Sequence, residues 1–219
     1  MSRQQYTFST LAAMSISSYL REGEPLRADT RWLSPRQQEV LDVVEAVFLR
    51  DGISAVRIGE LAAEASCSRS TLYELAPSKE ELLLIVLDRM MRRIMRRGAH
   101  AIEQQSDPVE RIRAMLTSGA LDFGPLGPKF MDAVQEYPPA RLLFDRRIAD
   151  GRDVLENLIR EAGESGHVRP VHARILADAL FVVVLRFTDP QFVRSAGVST
   201  SAALSEFFDV LIDGLRPAD

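Results

Sequence analysis

The chain has one cysteine, Cys67, in 219 residues. That excludes an intramolecular disulfide framework and leaves no cysteine pair for zinc. A reducing compartment is the simple reading. Histidine is nearly as scarce: His100, His167 and His172 are scattered without metal-ligand spacing, so no metal site is expected. Only two of the 27 basic residues are lysines, Lys79 and Lys129, and the arginine excess carries no mechanism by itself. No apolar run is long enough to span a membrane. The stretch TFSTLAAMSISSYL near the N-terminus is interrupted by Ser and Thr and lacks the core of a signal peptide. Nucleophile motifs and phosphate loops are missing too, so neither an enzyme nor a cofactor is expected. These absences together predict a cytoplasmic protein. With a net charge of −4, any nucleic-acid surface must be local.

What is present is helical periodicity. Apolar residues make up 46% and charged residues 26%, ordinary for a globular chain with a sizeable core. Val40, Leu41, Val43, Val44, Val47 and Phe48 follow helical spacing after the cap Ser34 and Pro35, and the pair Asp51 and Gly52 ends that helix. Short helices are predicted over 58–65 and 69–75, with a tight break between them. Pro77 stops the second. Ser78 and Glu81 have the spacing of a capping box for a long fourth helix, whose stripe includes Leu83, Leu87, Met91 and Ile94. DPVE at 107–110 starts another helix, FGPLGPKF at 123–130 is a Gly/Pro break, and Pro138 and Pro139 start the next helix. Two apolar helices, 171–188 and 201–215, close the chain. No strand pattern or repeat is seen, so the fold class is all-α. Residues 1–33 read as an N-terminal extension, partly disordered, with a weak helix over 6–20 and Met14 as an alternative start.

Residues 52–80 form a unit. Two short helices around a three-residue break make a helix-turn-helix, whose second helix enters the major groove N-terminus first. Ser68, Arg69, Ser70 and Thr71 stand there: arginine reads guanine with two hydrogen bonds, and the hydroxyls serve base or phosphate. Tyr73 offers a hydroxyl to phosphate, Lys79 a point charge, and Arg57 a cation at the start of the first short helix. The arginines of RMMRRIMRR, Arg89 to Arg97, read as a solvated or salt-bridged face. Met115, Phe123, Phe130, Met131, Phe144, Phe181 and Phe187 suit a mainly apolar pocket between helices, with the 123–130 break as its wall or gate.

The stretch GISAVRIGELAAEASCSRSTLYELAPSKEEL, residues 52–82, resembles the DNA-binding region of the TetR family of transcriptional regulators. Leu61 and Ala62, the run ending STLY, and PSKEEL carry the likeness. The resemblance implies a homodimer without membrane association. Its parts would be a three-helix DNA-binding domain at 34–80 and a helical ligand-binding and dimerisation domain at 81–219. It implies dimerisation through the last two helices, with Val182, Leu185, Leu204, Phe208 and Leu211 as candidate interface residues. It also implies an operator in double-stranded DNA and a small-molecule effector that makes a repressor release it. The two reading heads would sit roughly 34–36 Å apart, or a multiple of that.

The chain departs from the family pattern at several places. Ser66 stands where the family commonly has glycine, and Arg57 where a hydroxyl caps the helix. Glu74, Leu75 and Ala76 replace basic or aromatic residues and a phenylalanine. Residues 35–79 carry five cations against seven carboxylates. Nonspecific DNA affinity comes mainly from phosphate contacts, so the alternative is a ligand-binding helical protein with weak or lost DNA binding. Arg21, Arg27 and Arg31 ahead of the head are candidates for the minor groove.

Overall fold

Caps and prolines set where the helices begin. In the computed structural model, which describes residues 33–123, 126–187, 192, 195–198 and 200–217, helix α1 spans Pro35–Asp51. The Ser34 side chain accepts from the Gln37 N–H at 3.2 Å, and the Gln37 side chain accepts from the Ser34 N–H at 2.9 Å. Gly52 ends the helix with φ of 76°, returning its N–H to the Phe48 carbonyl. Helices α2 (Ile58–Glu64) and α3 (Arg69–Leu75) follow. Next come α4 (Lys79–Glu103), α5 (Pro108–Phe123), α6 (Pro128–Glu136) and α7 (Pro138–Glu164). Helices α8 (Ala173–Phe187) and α9 (Thr200–Leu215) complete the described chain, which contains no strand. The readings placed on 1–32, including the helix over 6–20, Met14 and the arginines Arg21, Arg27 and Arg31, lie outside the described residues.

Two local expectations need correction. Ser78 does cap α4, accepting the Glu81 N–H at 3.1 Å, but Glu81 shows no return bond, so only half of the capping box is made. The Gly/Pro break is shorter than read. Gly127 and Pro128 are an N-cap and a first turn, and they start α6, for which the sequence reading had no separate helix. Phe130 and Val134 of α6 are fully buried in the same core as α1.

Packing divides the apolar side chains into two clusters. One joins Val40, Leu41, Val44 and Phe48 of α1 to Leu61 of α2, Leu72 of α3, the first half of α4, α6 and the start of α7. The expected boundary between residues 80 and 81 falls inside this cluster. Leu72 has no exposure, and truncating such a side chain costs about 2–5 kcal/mol. The other cluster joins Ile102 at the end of α4 to Ile112 of α5, Leu155 of α7, Leu180 of α8 and Phe208 of α9. Helix α4 contributes to both. Its 25 residues make a rod of about 37 Å between the N-terminal helices and the C-terminal bundle.

Glu161 of α7 marks a cost in the bundle. Burial pushes its carboxyl up to about 7, and Arg111, 3.9 Å away, only partly offsets this. An acid with a raised folded-state pKa favours the folded state while neutral and loses that contribution as pH climbs through the window between its unfolded and folded values. Glu161→Gln is therefore expected to raise Tm little near pH 5 and progressively more up to about pH 7, beyond which the gain levels off. Thermal unfolding of both proteins across that range checks this, and a gain independent of pH contradicts it.

Candidate nucleic-acid interface and ligand cavity

The turn between α2 and α3 is held from outside. Ser66 adopts φ of 49°, a left-handed conformation that strains a residue with a Cβ, at the position where glycine was the expected residue. Arg36 of α1 stabilises the turn: its Nη2 donates to the Ala65 carbonyl at 3.0 Å and the Ser66 carbonyl at 2.7 Å. Neither the strain nor this arginine clamp follows from sequence spacing.

The head of α3 presents the predicted groove-facing set. Ser68 is the N-cap: its Oγ accepts the Thr71 N–H at 3.0 Å and pairs with the Thr71 hydroxyl at 3.0 Å. Capping therefore occupies Ser68, while Arg69 and Ser70 beside it are exposed. Tyr73 is 52% exposed, a large side chain left in solvent. The Arg69 guanidinium lies over the first turn of α2. A Cβ at Gly59 would stand 2.7 Å from its Nη2, so glycine there makes room for Arg69. The sequence reading missed Gly59; its signal is a glycine inside the first turn of an otherwise regular helix. Arg57 is exposed at the N-cap of α2, with its N–H donated to Glu60 at 3.1 Å.

Lys79 behaves differently from expectation. Its Nζ donates to the Ile53 carbonyl at 2.9 Å and the Val56 carbonyl at 2.8 Å. Two of its three donors hold the loop between α1 and α2. Its side chain is thus a clamp on that loop.

Local charge is better balanced than the count over 35–79 suggests. Arg89 of α4 meets Asp42 of α1 at 2.7 Å, and Arg93 meets Glu45 of α1. Arg97 meets Asp122 at 2.5 Å. The arginine stripe on α4 is thus a salt-bridged face, and two of its cations neutralise carboxylates of the N-terminal helices. Arg50 joins Asp51 at 2.7 Å and Glu64 at 2.8 Å, and its hydrogen bonds hold both carboxyls below their usual range. Glu74 is exposed and has no ion pair among the described residues.

Further along α4 the helices α4, α5, α7 and α8 enclose a narrow cavity of about 80 Å³. Of the seven residues expected at an apolar pocket, Met115, Phe123 and Phe181 are in its lining. The other four are not. Phe130 and Met131 pack in the first cluster, and Phe144 sits edge-on to Phe123 with ring centroids 6.4 Å apart. Phe187 packs against Phe192 and Phe207. The missed wall includes Met91, Ile94 and three helical glycines, Gly98, Gly119 and Gly151. It also includes Arg147, the one charged residue in the lining among the described residues.

Arg147 is 9% exposed and donates to the Asp88 carboxylate at 3.0 Å. Asp88, 1% exposed, also receives Arg92 at 2.6 Å. Deleting one partner of such a buried pair costs about 3–5 kcal/mol, because the other charge is left uncompensated.

Of the candidate interface residues, Val182 is exposed on α8, at 66%. Leu204 and Phe208 are 1% exposed inside this chain's own second cluster, and Leu211 packs against it, so these do not form a free face. The Leu185 side chain lies outside the described residues. Ile175 and Val210, at 64% and 70% exposure, are apolar surface that the sequence reading overlooked.

Lys79→Ala is expected to destabilise the chain by about 1–3 kcal/mol, because two loop carbonyls lose charge-assisted donors. Urea unfolding measures this. A loss confined to DNA affinity, with unchanged stability, contradicts the clamp.

The profile described as "Bacterial regulatory proteins, tetR family" matches residues 40–86, which cover most of α1 to the start of α4. An uncharacterized HTH-type transcriptional regulator of Mycobacterium tuberculosis (strain H37Rv) is 33% identical over 96 residues. That match covers 42% of this chain and 48% of the relative, so the chain spans about half the length of the curated relative it matches. The fold is shared with solved structures. The regulator FadR of Bacillus subtilis, in complex with stearoyl-CoA, has a TM-score of 0.65 at 13% identity, covering 82% of this chain and 99% of that one. AibR, in complex with isovaleryl coenzyme A and operator DNA, has a TM-score of 0.62 at 22% identity, covering 84% and 100%. Residues 40–86 thus resemble the tetR family of bacterial regulatory proteins, and the helix-turn-helix continued into an all-α C-terminal bundle is a fold this chain shares with the solved regulators.

Proposed function

We propose that the chain is a homodimeric, effector-responsive transcriptional regulator. In this reading it acts as a cytoplasmic repressor that releases operator DNA when a small, mainly apolar molecule enters the cavity. The observation that carries it is the continuity of α4. One helix begins beside the reading head, clamps the 53–56 loop through Lys79, and walls the cavity from Met91 to Ile102. Arg89 and Arg93 fasten it to α1, and Asp88 fastens it to α7 through Arg147. A ligand that spreads the cavity wall therefore pushes on the rod that carries the head. The complexes of FadR with stearoyl-CoA and of AibR with isovaleryl coenzyme A and operator DNA agree with such a division of labour.

Residues 34–80 are the reading head in this account, with Arg69, Ser70, Thr71 and Tyr73 toward the groove and Arg57 toward phosphate. Residues 81–219 supply the cavity and the dimer contact. Exposed Ile175 and Val182 on α8 and Val210 on α9 favour dimerisation through that surface. Glu74, exposed and without an ion pair among the described residues, favours the second reading, a ligand-binding protein with weakened DNA binding.

A mobility-shift assay with DNA from the chain's own upstream region separates the two readings. A regulator shifts the fragment at about 50 mM salt and loses affinity steeply toward about 200 mM. Glu74→Gln is expected to tighten binding several-fold at the lower salt and less at the higher, because removing repulsion matters most where screening is weak. No shift at low salt with folded dimer selects the second reading.

A further inference from the structure

The cavity wall holds a chemical signal besides its shape. Among the described residues, Arg147 is the only charged one in the lining, and its Nε–H is buried without an acceptor. Its other nitrogens are engaged: Nη2 with Asp88 at 3.0 Å and Nη1 with Asp150 at 3.5 Å. Asp88 is engaged in turn by Arg92 at 2.6 Å. The cluster thus holds two cations and two carboxylates and is neutral as a whole. A buried donor left without a partner is costly, and a neutral oxygen acceptor satisfies it without adding charge. A ligand carboxylate would give the cluster a net negative charge in an otherwise apolar wall, which burial opposes.

The rest of the wall describes the remainder of the ligand. On α4 the lining runs from Met91 to Ile102, roughly 16 Å along the helix. Asp88, which holds Arg147, lies one turn before Met91, so the polar point is at the end nearest the reading head. Beyond it the wall is apolar. Gly98 of α4 and Gly119 of α5 leave open space where a Cβ would stand, and the Phe181 ring comes 3.1 Å from where a Gly151 Cβ would be. Helix interiors disfavour glycine, and here two of these positions widen a slot. The slot is smaller than the few hundred Å³ typical of ligand sites, so a ligand of that size requires its walls to separate.

We propose that the ligand of this cavity is an uncharged, chain-like apolar compound bearing one carbonyl oxygen, which accepts the Arg147 Nε–H. This rests on the proposed effector role of the cavity and names the chemistry of that effector. A ketone, an ester or the acyl part of a thioester satisfies it, and a free fatty acid does not. Through Arg147 the ligand also touches Asp88 on α4, so the hydrogen bond that recognises the carbonyl sits on the link between α7 and the rod.

The probes are octan-2-one and octanoate, matched in chain length, titrated calorimetrically into the full chain at neutral pH. The ketone is expected to bind at least tenfold more tightly. Arg147→Lys keeps the cation for Asp88 but has no Nε–H, and is expected to weaken the ketone about tenfold while leaving octanoate unimproved. Gly119→Leu fills the slot and is expected to abolish ketone binding with helical content unchanged; if it fails to fold, Gly119→Ala is used, with weakened binding expected. Octanoate binding as tightly as the ketone, or ketone binding that survives both changes, overturns the proposal. So does the failure of the ketone to bind. Ketone binding without any DNA shift sinks the regulator reading and leaves this one standing, and a DNA shift without ketone binding does the reverse.

Discussion

A carboxylate buried to 1% exposure, Asp88, is tied on one side to Arg92 of its own helix and on the other to Arg147 of α7. Charges so placed are tolerated only when paired, since desolvating an unpaired ion costs several kcal/mol, on the order of what a whole domain has to spare. The pairing therefore fixes how α4 and α7 lie against each other. Because α4 also contributes to both apolar clusters, the same pair fixes where the reading head stands relative to the bundle. The salt bridges from Arg89 and Arg93 to α1 extend this constraint into the head. They are more exposed than the Asp88 pair and contribute less stability, but they set orientation.

The proposed DNA-facing surface is a compromise within this frame. Its turn carries a strained Ser66 steadied by Arg36, and its loop is gripped by Lys79. Arg36 and Lys79 are engaged in holding the motif together. In the proposed function, DNA is left the exposed N-terminal end of α3 with Arg57 nearby, and Glu74 weighs against it. Such a head depends on geometry more than on bulk charge, and a helix that repositions it changes affinity without changing the contacts available.

Much of this was legible in the sequence. Helix starts at Ser34, Ser78 and Asp107 followed from capping chemistry, because a cap is a local interaction between near neighbours. The reading motif was legible for the same reason. The cavity was not. Aromatic side chains were the expected wall, but Phe130 and Phe144 filled the first core, where large apolar groups gain most from burial. The wall was marked instead by Gly98, Gly119 and Arg147, residues whose meaning depends on what three other helices bring near them. The clamp made by Lys79 was not legible either: its partners lie more than twenty residues away, and no spacing rule foretells that the Ile53 and Val56 carbonyls converge there. The exposed Ile175 and Val210 were hidden among core residues of the same periodic stripe, because periodicity cannot tell a core from an interface.

The central claim is that the cavity region and the head are coupled through α4. Fluorescence anisotropy with the upstream DNA fragment, comparing Asp88→Asn with the unaltered chain over a range of salt, tests it most directly. Asp88 lies buried between α4 and α7 and is not part of the proposed DNA surface, so the account predicts a change in affinity of about fivefold or more with an unchanged salt slope. Equal affinities for two folded dimers would contradict the coupling.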